Sequence, residues 1–600
     1  MKKKLRSLTA VLMAAVLLAG CAGQTGIQPS VEEPAAAADE ALSESGKKAD
    51  YEDENLSEKS EEEASSYSIE EKTLPVYMGD LAHKEEAGVF FINGSAVPYI
   101  SMDTVLRFLN YIREEDIYDL ESEGDHAVIT RRGTDFTMDV DFDADTMSFF
   151  DFDAFLKPDI GPIVNVGIPN DTVMSALFEE DDYYSNERYG KEMCYDMKPY
   201  GIDLVHEGDG YYLPLQTVSD LLLTYEVTYA LYNTEAVFVV SGGMDEEMSE
   251  KYYSASGERT EELGRFDYNE LCFALDHMYG LKEIHNIDSF DEFFHECGLR
   301  RKLSGTDQTD ADTALYKFIE QYLDDQHSRF NAGSYMSDPD RFSEETGDIM
   351  GPWKKKMYSY MYAFSDARDE FYPEGIPPYE EVGDTAYITF DSFTHPEEDI
   401  DYMSDPTEDE LYDTVRLIQY SRDKILRPDS PVKNVVMDLS NNSGGAAATA
   451  AYVIAFYLGL GDMSVVNTMT GAAGTAAYHI DTNRDGKFDR EDYLAGKDLN
   501  LYCLISPFSF SSGNLVPNVF MNSPRVTLIG MTSGGGSCGV QPMSTAGGTM
   551  LQISGYKRIS LLKNGSYDDI DRGATPDFHI AKIRDFYDRE RMTEWLDGLF

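Results

Sequence analysis

One stretch constrains this chain more than any other: residues 501–541, LYCLISPFSFSSGNLVPNVFMNSPRVTLIGMTSGGGSCGVQ. An apolar run at 501–505 has strand character and stops at Ser506-Pro507. Three hydroxyl residues follow, Ser509, Ser511 and Ser512, and then Leu515, Val516, Val519 and Phe520 recur at helical spacing. A second apolar run at 526–529 leads into Gly534, Gly535 and Gly536. A serine placed between a strand end and a helix start is presented outward, beside free helix N–H groups that welcome negative charge. Acyl transfer needs that combination, a hydroxyl nucleophile next to fixed N–H donors. A serine-rich turn that merely caps a helix would read the same way, so the stretch decides nothing alone.

Two further stretches accompany it. Residues 432–445, VKNVVMDLSNNSGG, read as a buried strand, then Asp438, then a polar turn closed by Gly444-Gly445. Glycines there let backbone N–H groups approach a ligand closely. Residues 324–330, DDQHSRF, place His327 at the end of the helical pattern 315–323. In this order the three stretches resemble the S41 peptidases, the family of the C-terminal processing (tail-specific) proteases and the tricorn core. In that family a D-x-H-S/T segment, a D-L-R-x-N-x-G-G segment and an S-x-S-[AS]-x-E-like segment recur, followed by a G-x-x-T-x-G-x-G turn. The matching region runs from about residue 266 to the C terminus.

The resemblance implies an α/β (α+β) fold, an S41-type central β-sheet with covering helices. It implies Ser511 as nucleophile, with Ser509 and Ser512 as fallback candidates. Gly444 or Gly445, with the N–H of Ser512, would form the oxyanion hole. The tail-specific branch carries a lysine base in the glycine turn, but this chain has Gly534, Gly535, Gly536 and Ser537 there. The tricorn-like branch takes its base from the histidine of the D-x-H-S segment, here His327. Imidazole suits the role because it titrates near neutrality. An acid near the C terminus orients that histidine, and YDDIDRGATPD offers Asp569 or Asp571, of which Asp571 is preferred. Cys538, after the glycine turn, ranks below Ser511 as a nucleophile. The implied activity is that of a serine endopeptidase working through a Ser-His pair, without the usual lysine and without a catalytic cofactor. Its partners would be peptide or protein substrates. The missing lysine, and Ser440 where the family has arginine, keep a second reading open: a non-catalytic peptide- or wall-binding lipoprotein on the same scaffold.

Residues 1–20 read as a sorting signal. Lys2, Lys3, Lys4 and Arg6 precede an apolar run at 11–18 that is too short to span a bilayer. Leu18-Ala19-Gly20-Cys21 resembles the bacterial lipobox, in which the cysteine becomes the lipidated N terminus. The expected location is the extracytoplasmic face of a bacterial cell membrane, with the protein anchored through Cys21. Residues 21–73 are rich in Glu, Ala, Ser and Asp and poor in large apolar residues, the composition of a disordered acidic stalk.

Residues 74–243 read as a separate, smaller α+β stem domain. Val97-Pro98-Tyr99-Ile100 leads to Ser101 as a helix cap, and Tyr211-Tyr212-Leu213-Pro214-Leu215 repeats the strand–proline–helix pattern. This two-fold pattern is similar to the repeats of the copper amine oxidase N-terminal domain, a stem module with no histidine cluster to hold copper. A spacer or adhesion role is the expectation, with the cell wall or another protein as the open alternatives for what it touches. The interleaved acids and aromatics at 141–159 read as a solvated loop or strand face. Residues 244–264 read as a linker, and 265–600 as the peptidase domain. The stretch 331–379, with its glycines, prolines and aromatics, is too poor in strand signals for the PDZ domain that tail-specific proteases insert nearby.

One insertion inside the peptidase region carries its own signal. In DTNRDGKFDRED, residues 481–492, Asp481, Asn483, Asp485, Asp489 and Asp492 fall at positions one, three, five, nine and twelve. Gly486 stands at position six, and Lys487 would offer a backbone carbonyl at seven. That is the spacing of an EF-hand-type calcium loop, so a structural Ca2+ is expected. The net charge of −61 disfavours nucleic acid and anionic membrane surfaces, and tolerates basic substrates and divalent cations. Past Cys21 five cysteines remain, an odd number without metal-site spacing, and Cys272 and Cys297 are expected to be core thiols.

Overall fold

Strand Asn434–Asp438 is buried at all five positions, as a nearly continuous apolar run must be when both faces of a parallel sheet are covered. It lies inside a six-stranded sheet ordered Tyr379–Val382, Thr385–Thr389, Asn434–Asp438, Asn500–Ile505, Val526–Gly530, Phe578–His579. The first pair is an antiparallel hairpin and every later pairing is parallel. Helices Thr414–Ile425, Ala447–Leu458 and Ser512–Met521 pack on one face. Helices Pro352–Phe371 and Arg589–Leu596 cover the other, through Phe364, Met592 and Leu596. The computed structural model describes residues 67–157, 173–394 and 400–599. The sorting signal and Cys21 lie outside these residues.

Three neighbouring parallel strands, Asn434–Asp438, Asn500–Ile505 and Val526–Gly530, send their carboxyl ends to one side of the sheet. The glycine pair, the serine turn and the glycine cluster follow those three ends directly. An open α/β sheet concentrates its ligand sites there. His327 reaches the same place from a second sheet. The strand after it, Arg329–Ala332, pairs with the long strand Met550–Lys563, which also pairs with Cys538–Ser544, the strand that leaves the glycine cluster.

The front block differs from the sequence expectation in three ways. Its first strand, Ile69–Met78, begins inside the stretch read as stalk, because a charged IEEK start hides a central strand of a seven-stranded sheet. The two strand–proline–helix units exist and pair with each other, Tyr212 opposite Ser101 and Pro214 opposite Tyr99. The block is not separate, however: Phe178–Glu180 and Asn186–Arg188 add to strand Ala473–Ile480 of the second sheet, and one apolar cluster runs from Val76 to Tyr556. Strands of only three residues, mostly polar, leave no periodic trace in a sequence.

In the described part of the acid–aromatic stretch, 141–157, most of the aromatic rings belong to the core, although Phe150 and Asp143 are exposed. Phe149, Phe152 and Phe155 are fully buried, and Asp153 accepts hydrogen bonds from Asn467 and Thr470 of the peptidase region. The expected linker holds helix Glu246–Tyr253, capped by Asp245, with Met248 and Tyr252 buried. The stretch 331–379 contains two helices, Pro339–Thr346 and Pro352–Phe371. Among the described residues no helix is long and apolar enough to cross a membrane, and the five cysteines are free, Cys272 buried and Cys297 half-buried.

A buried acid pair joins the two parts. Asp220, on the helical turn Ser219–Leu223, faces Glu270 on helix Glu261–Met278. Asp220 Oδ2 and Glu270 Oε1 are buried without a donor from elsewhere, so the two carboxyls must share a proton. Gln216 donates to Asp220 Oδ1 at 3.0 Å, while Asp267, ion-paired with Arg259, adds negative charge nearby. Burial pushes Asp220 up to about 7 and raises Glu270 well above the carboxylate range. The folded pair therefore stays protonated where the unfolded chain ionises near pH 4, and its contribution to stability, full below that pH, is lost as pH rises through the raised pKa values, from about 7 for Asp220 upward. Glu270→Gln places a permanent donor between the groups. Urea unfolding is expected to show wild-type stability falling from about pH 5 to about pH 8, by up to about 1.4 kcal/mol per pH unit for one proton, and a flatter profile in the variant.

Candidate active site

The chain leaves strand Asn500–Ile505, turns through Ser511 and enters helix Ser512–Met521. Ser511 is the residue before the helix and has φ +56° and ψ −122°. A non-glycine residue held in such a conformation costs about 1–3 kcal/mol and persists only when its surroundings over-determine it. Here they do. Its N–H donates to Gly535 O at 3.0 Å, and its carbonyl accepts from the N–H groups of Asn514 and Leu515.

The three serines of the turn are not equivalent. Ser509 is fully buried, donates to Leu439 O at 2.7 Å and accepts from Ser506 N–H at 2.9 Å. Ser512 donates to Gly445 O at 2.8 Å. The Ser511 hydroxyl is half-buried and makes no hydrogen bond among the described residues. The two fallback candidates thus act as ties between segments.

The glycine pair packs directly on Ser511. Gly444 and Gly445 have φ +111° and +134°, and a Cβ on Gly444 would stand 2.7 Å from Ser511 Cβ. Gly444 N–H is committed to Asn442 Oδ1 at 2.9 Å. The N–H groups of Gly445 and Ser512 have no acceptor among the described residues, and the Ser512 Oγ bond to Gly445 O ties their two peptides together. Of the two glycines, Gly445 is the one with a donor to spare.

His327 is buried, and its ring meets the Phe510 ring edge-on, with centroids 4.7 Å apart. Phe510 immediately precedes Ser511. The His327 carbonyl accepts from Gln552 Nε2 at 2.8 Å. Burial lowers the imidazole below its ordinary pKa, against the opposing charges of Asp325 and Asp571. Against its own burial, Asp325 is held ionised by donors from Ser554, Ser328 and Tyr279 at 2.7–2.9 Å. Among the described residues the imidazole is hydrogen-bonded to neither Ser511 nor Asp571. Catalytic hydrogen bonds are commonly loose before substrate enters.

Asp571, from a separate turn after Ile570, reaches the glycine turn where a tail-specific protease would carry its lysine. Its Oδ1 accepts from Gly536 N–H, Ser537 N–H and Ser537 Oγ at 3.1–3.3 Å. Asp569 is paired with Arg558 at 2.7 Å. Cys538 is buried, and that burial pushes its thiol well above the ordinary range, which disfavours the thiolate that a cysteine nucleophile needs. At the family's arginine position, Ser440 N–H bonds Asp438 Oδ1, and buried Asp438 takes its cation from Arg589 of the last helix.

Sequence reasoning missed two side chains beside Ser511. Trp353 faces Phe510 at 6.2 Å, and Met357, from the same helix, packs by Gly534. Only the aromatic content of 331–379 hinted at them.

The acidic loop at 481–492 lies apart from this site. Gly486 has φ +73°, and its N–H donates to Asp481 Oδ2 at 2.7 Å. Asn483, Asp485 and Asp489 each accept from the N–H two residues on, and Asp492 accepts from Thr482, Asn483 and Asp489. The oxygen donors suit a hard cation. As folded they do not converge, however: among the described residues no group of three His, Cys, Asp or Glu could hold a metal ion, and Lys487 Nζ pairs with Asp485.

The strain at Ser511 gives a stability test. Glycine adopts this conformation freely, which relieves about 1–3 kcal/mol, less about 0.5–1 kcal/mol of added chain entropy. Ser511→Gly is expected to be more stable than wild type by about 1 kcal/mol, read from urea unfolding.

Residues 384–580, which hold the glycine pair, Ser511 and Asp571, match the family model described as peptidase family S41. No curated protein sequence matches the chain. Among solved structures it is similar to a candidate peptidase from Parabacteroides merdae ATCC 43184, at 16% identity and TM-score 0.39 over 56% of this chain and 96% of that one. It is also similar to a lipoprotein from Streptococcus agalactiae, at 14% identity and TM-score 0.32 over 57% and 96%. A third is mature CPAF complexed with lactacystin, at 10% identity and TM-score 0.35 over 56% and 98%. Structural likeness at these values carries no argument, and the assignment rests on the sequence model. The region 384–580, about a third of the chain, is what is similar to peptidase family S41.

Proposed function

We propose that the protein is a membrane-anchored, extracytoplasmic serine endopeptidase in which Ser511 and His327 form the catalytic pair. The observation that carries this reading is the state of Ser511: an uncommitted hydroxyl on a strained turn, flanked by the uncommitted N–H groups of Gly445 and Ser512. Ser511 Oγ attacks the peptide carbonyl carbon, and its proton passes to the neutral His327 imidazole. The developing oxyanion accepts from the Gly445 and Ser512 N–H groups, as a preorganised oxyanion hole requires. The imidazolium is stabilised by the charges of Asp325 and Asp571 and returns the proton to the leaving amine. Water then attacks the acyl-serine ester by the same route and frees the enzyme.

Anchoring through a lipid on Cys21, and contact of the front block with the cell wall, belong to the same reading. The acidity of the chain favours basic over acidic substrates. The second reading, a binding protein on this scaffold, is favoured by one observation, the absence of a hydrogen bond from the imidazole to Ser511.

A fluorophosphonate probe separates the two. It is expected to label wild type but not Ser511→Ala, and His327→Ala should lose casein cleavage while keeping its fold. No labelling of wild type sinks the catalytic reading. Because burial lowers His327, the acid limb of activity is expected below the ordinary imidazole pKa of about 6.5.

The 481–492 loop is proposed to take a structural Ca2+ after its carboxylates draw together. Added calcium is expected to raise the melting temperature of wild type and not of Asp481→Asn/Asp492→Asn. Calorimetry without heat and an unchanged melting temperature would remove calcium from the account.

A further inference from the structure

Helix Pro352–Phe371 starts without a cap of its own. Its N-cap is Gly351, which has no side chain to offer, and its first residue is Pro352, which has no N–H. The next two N–H groups would be orphaned. They are taken by a residue far back in the chain: Asp324 Oδ2 accepts from Trp353 N–H at 2.7 Å and Oδ1 from Lys354 N–H at 2.9 Å. A carboxylate at a helix N terminus is also favoured by the helix dipole. Asp324 itself has φ +51°, and any Cβ on Gly351 would overlap its carboxylate, so the junction fits as built and tolerates little else.

Asp324 stands three residues before His327. One residue past His327 the same helix returns: Lys354 Nζ donates to Ser328 O at 2.9 Å and to Glu320 Oε2 at 2.8 Å. Both side chains of this ion pair are buried or nearly so. The loop 324–328 is thus clamped on each side of His327 by the first turn of one helix. That turn also carries Trp353, which faces Phe510, whose ring in turn faces His327.

We propose that Asp324 and Lys354 are positioning residues that hold the His327 loop, and with it the imidazole, against Phe510 and Ser511. The proposal rests on the reading of Ser511 and His327 as the catalytic pair. Neither residue touches the reacting atoms; each acts through the backbone on one side of the base. A base displaced by about 1 Å costs roughly a hundredfold in rate.

The test is the fluorophosphonate labelling rate of Ser511 in the full chain, resolved into the probe's binding constant and its maximal rate, from about pH 5 to about pH 9. Asp324→Ala and the paired variant Lys354→Met/Glu320→Gln, which leaves no buried lone charge, are expected to lower the maximal rate roughly 10- to 100-fold with probe binding changed less than about threefold. Their acid limb is expected to move up toward the ordinary imidazole value, because a loosened loop admits water. Asp324→Asn, which keeps one acceptor for the helix, should recover part of the loss, and it replaces Asp324→Ala if that variant does not fold. Wild-type rates and acid limb in these variants, with His327→Ala inert, overturn the positioning roles and leave the catalytic pair standing. A rate loss that tracks melting temperature alone, with the acid limb unmoved, also overturns them. Full labelling in His327→Ala overturns the catalytic reading and the positioning roles together.

Discussion

A serine forced to φ +56° and ψ −122° is the constraint from which the rest of this site follows. No residue other than glycine holds that geometry without support, and the support comes from three hydrogen bonds to two neighbouring chain segments. Ser509 ties the turn to Leu439, Ser511 N–H ties it to Gly535, and Ser512 ties it to Gly445. Those partners follow the ends of two strands that flank Asn500–Ile505, so the parallel register of the sheet is what brings them within reach. Two hydroxyls are used up in holding the turn, and the third is left free.

The same economy governs the charges. Asp325 is saturated with donors, Asp569 is held by Arg558, Asp438 by Arg589, and the glycine cluster that lacks a lysine uses its N–H groups on Asp571. Burial favours the uncharged form of His327, and the charges of Asp325 and Asp571 act the other way, toward the protonated form. A neutral base with anions in waiting is what proton abstraction from a hydroxyl asks of its surroundings.

Much of the site was legible in the sequence because strand ends and glycines write themselves into short local patterns. Ser511, the glycine pair, His327 and Asp571 were singled out as candidates by a resemblance that short local motifs carry, and the central sheet with its covering helices was expected on the same ground. What stayed hidden depends on partners distant in sequence. Nothing local distinguishes Ser509 or Ser512 from Ser511, or Gly444 from Gly445; only their hydrogen bonds do. The cap that Asp324 gives to Trp353 and Lys354 spans 29 and 30 positions, and the sheet that takes in Phe178–Glu180 spans nearly three hundred. The strand from Ile69 and the helix from Glu246 were masked by charge, since burial of their later residues is decided by the front sheet and not by composition.

The central claim of the proposed function is geometric: the N–H groups of Gly445 and Ser512 would hold the oxygen of the carbonyl whose carbon Ser511 attacks. A crystal structure of the covalent fluorophosphonate adduct tests it most directly. The account predicts the phosphonyl oxygen within about 2.7–3.1 Å of both nitrogens, with His327 turned toward Ser511 Oγ. An adduct on another residue, or an oxygen pointing away from both N–H groups, would contradict it.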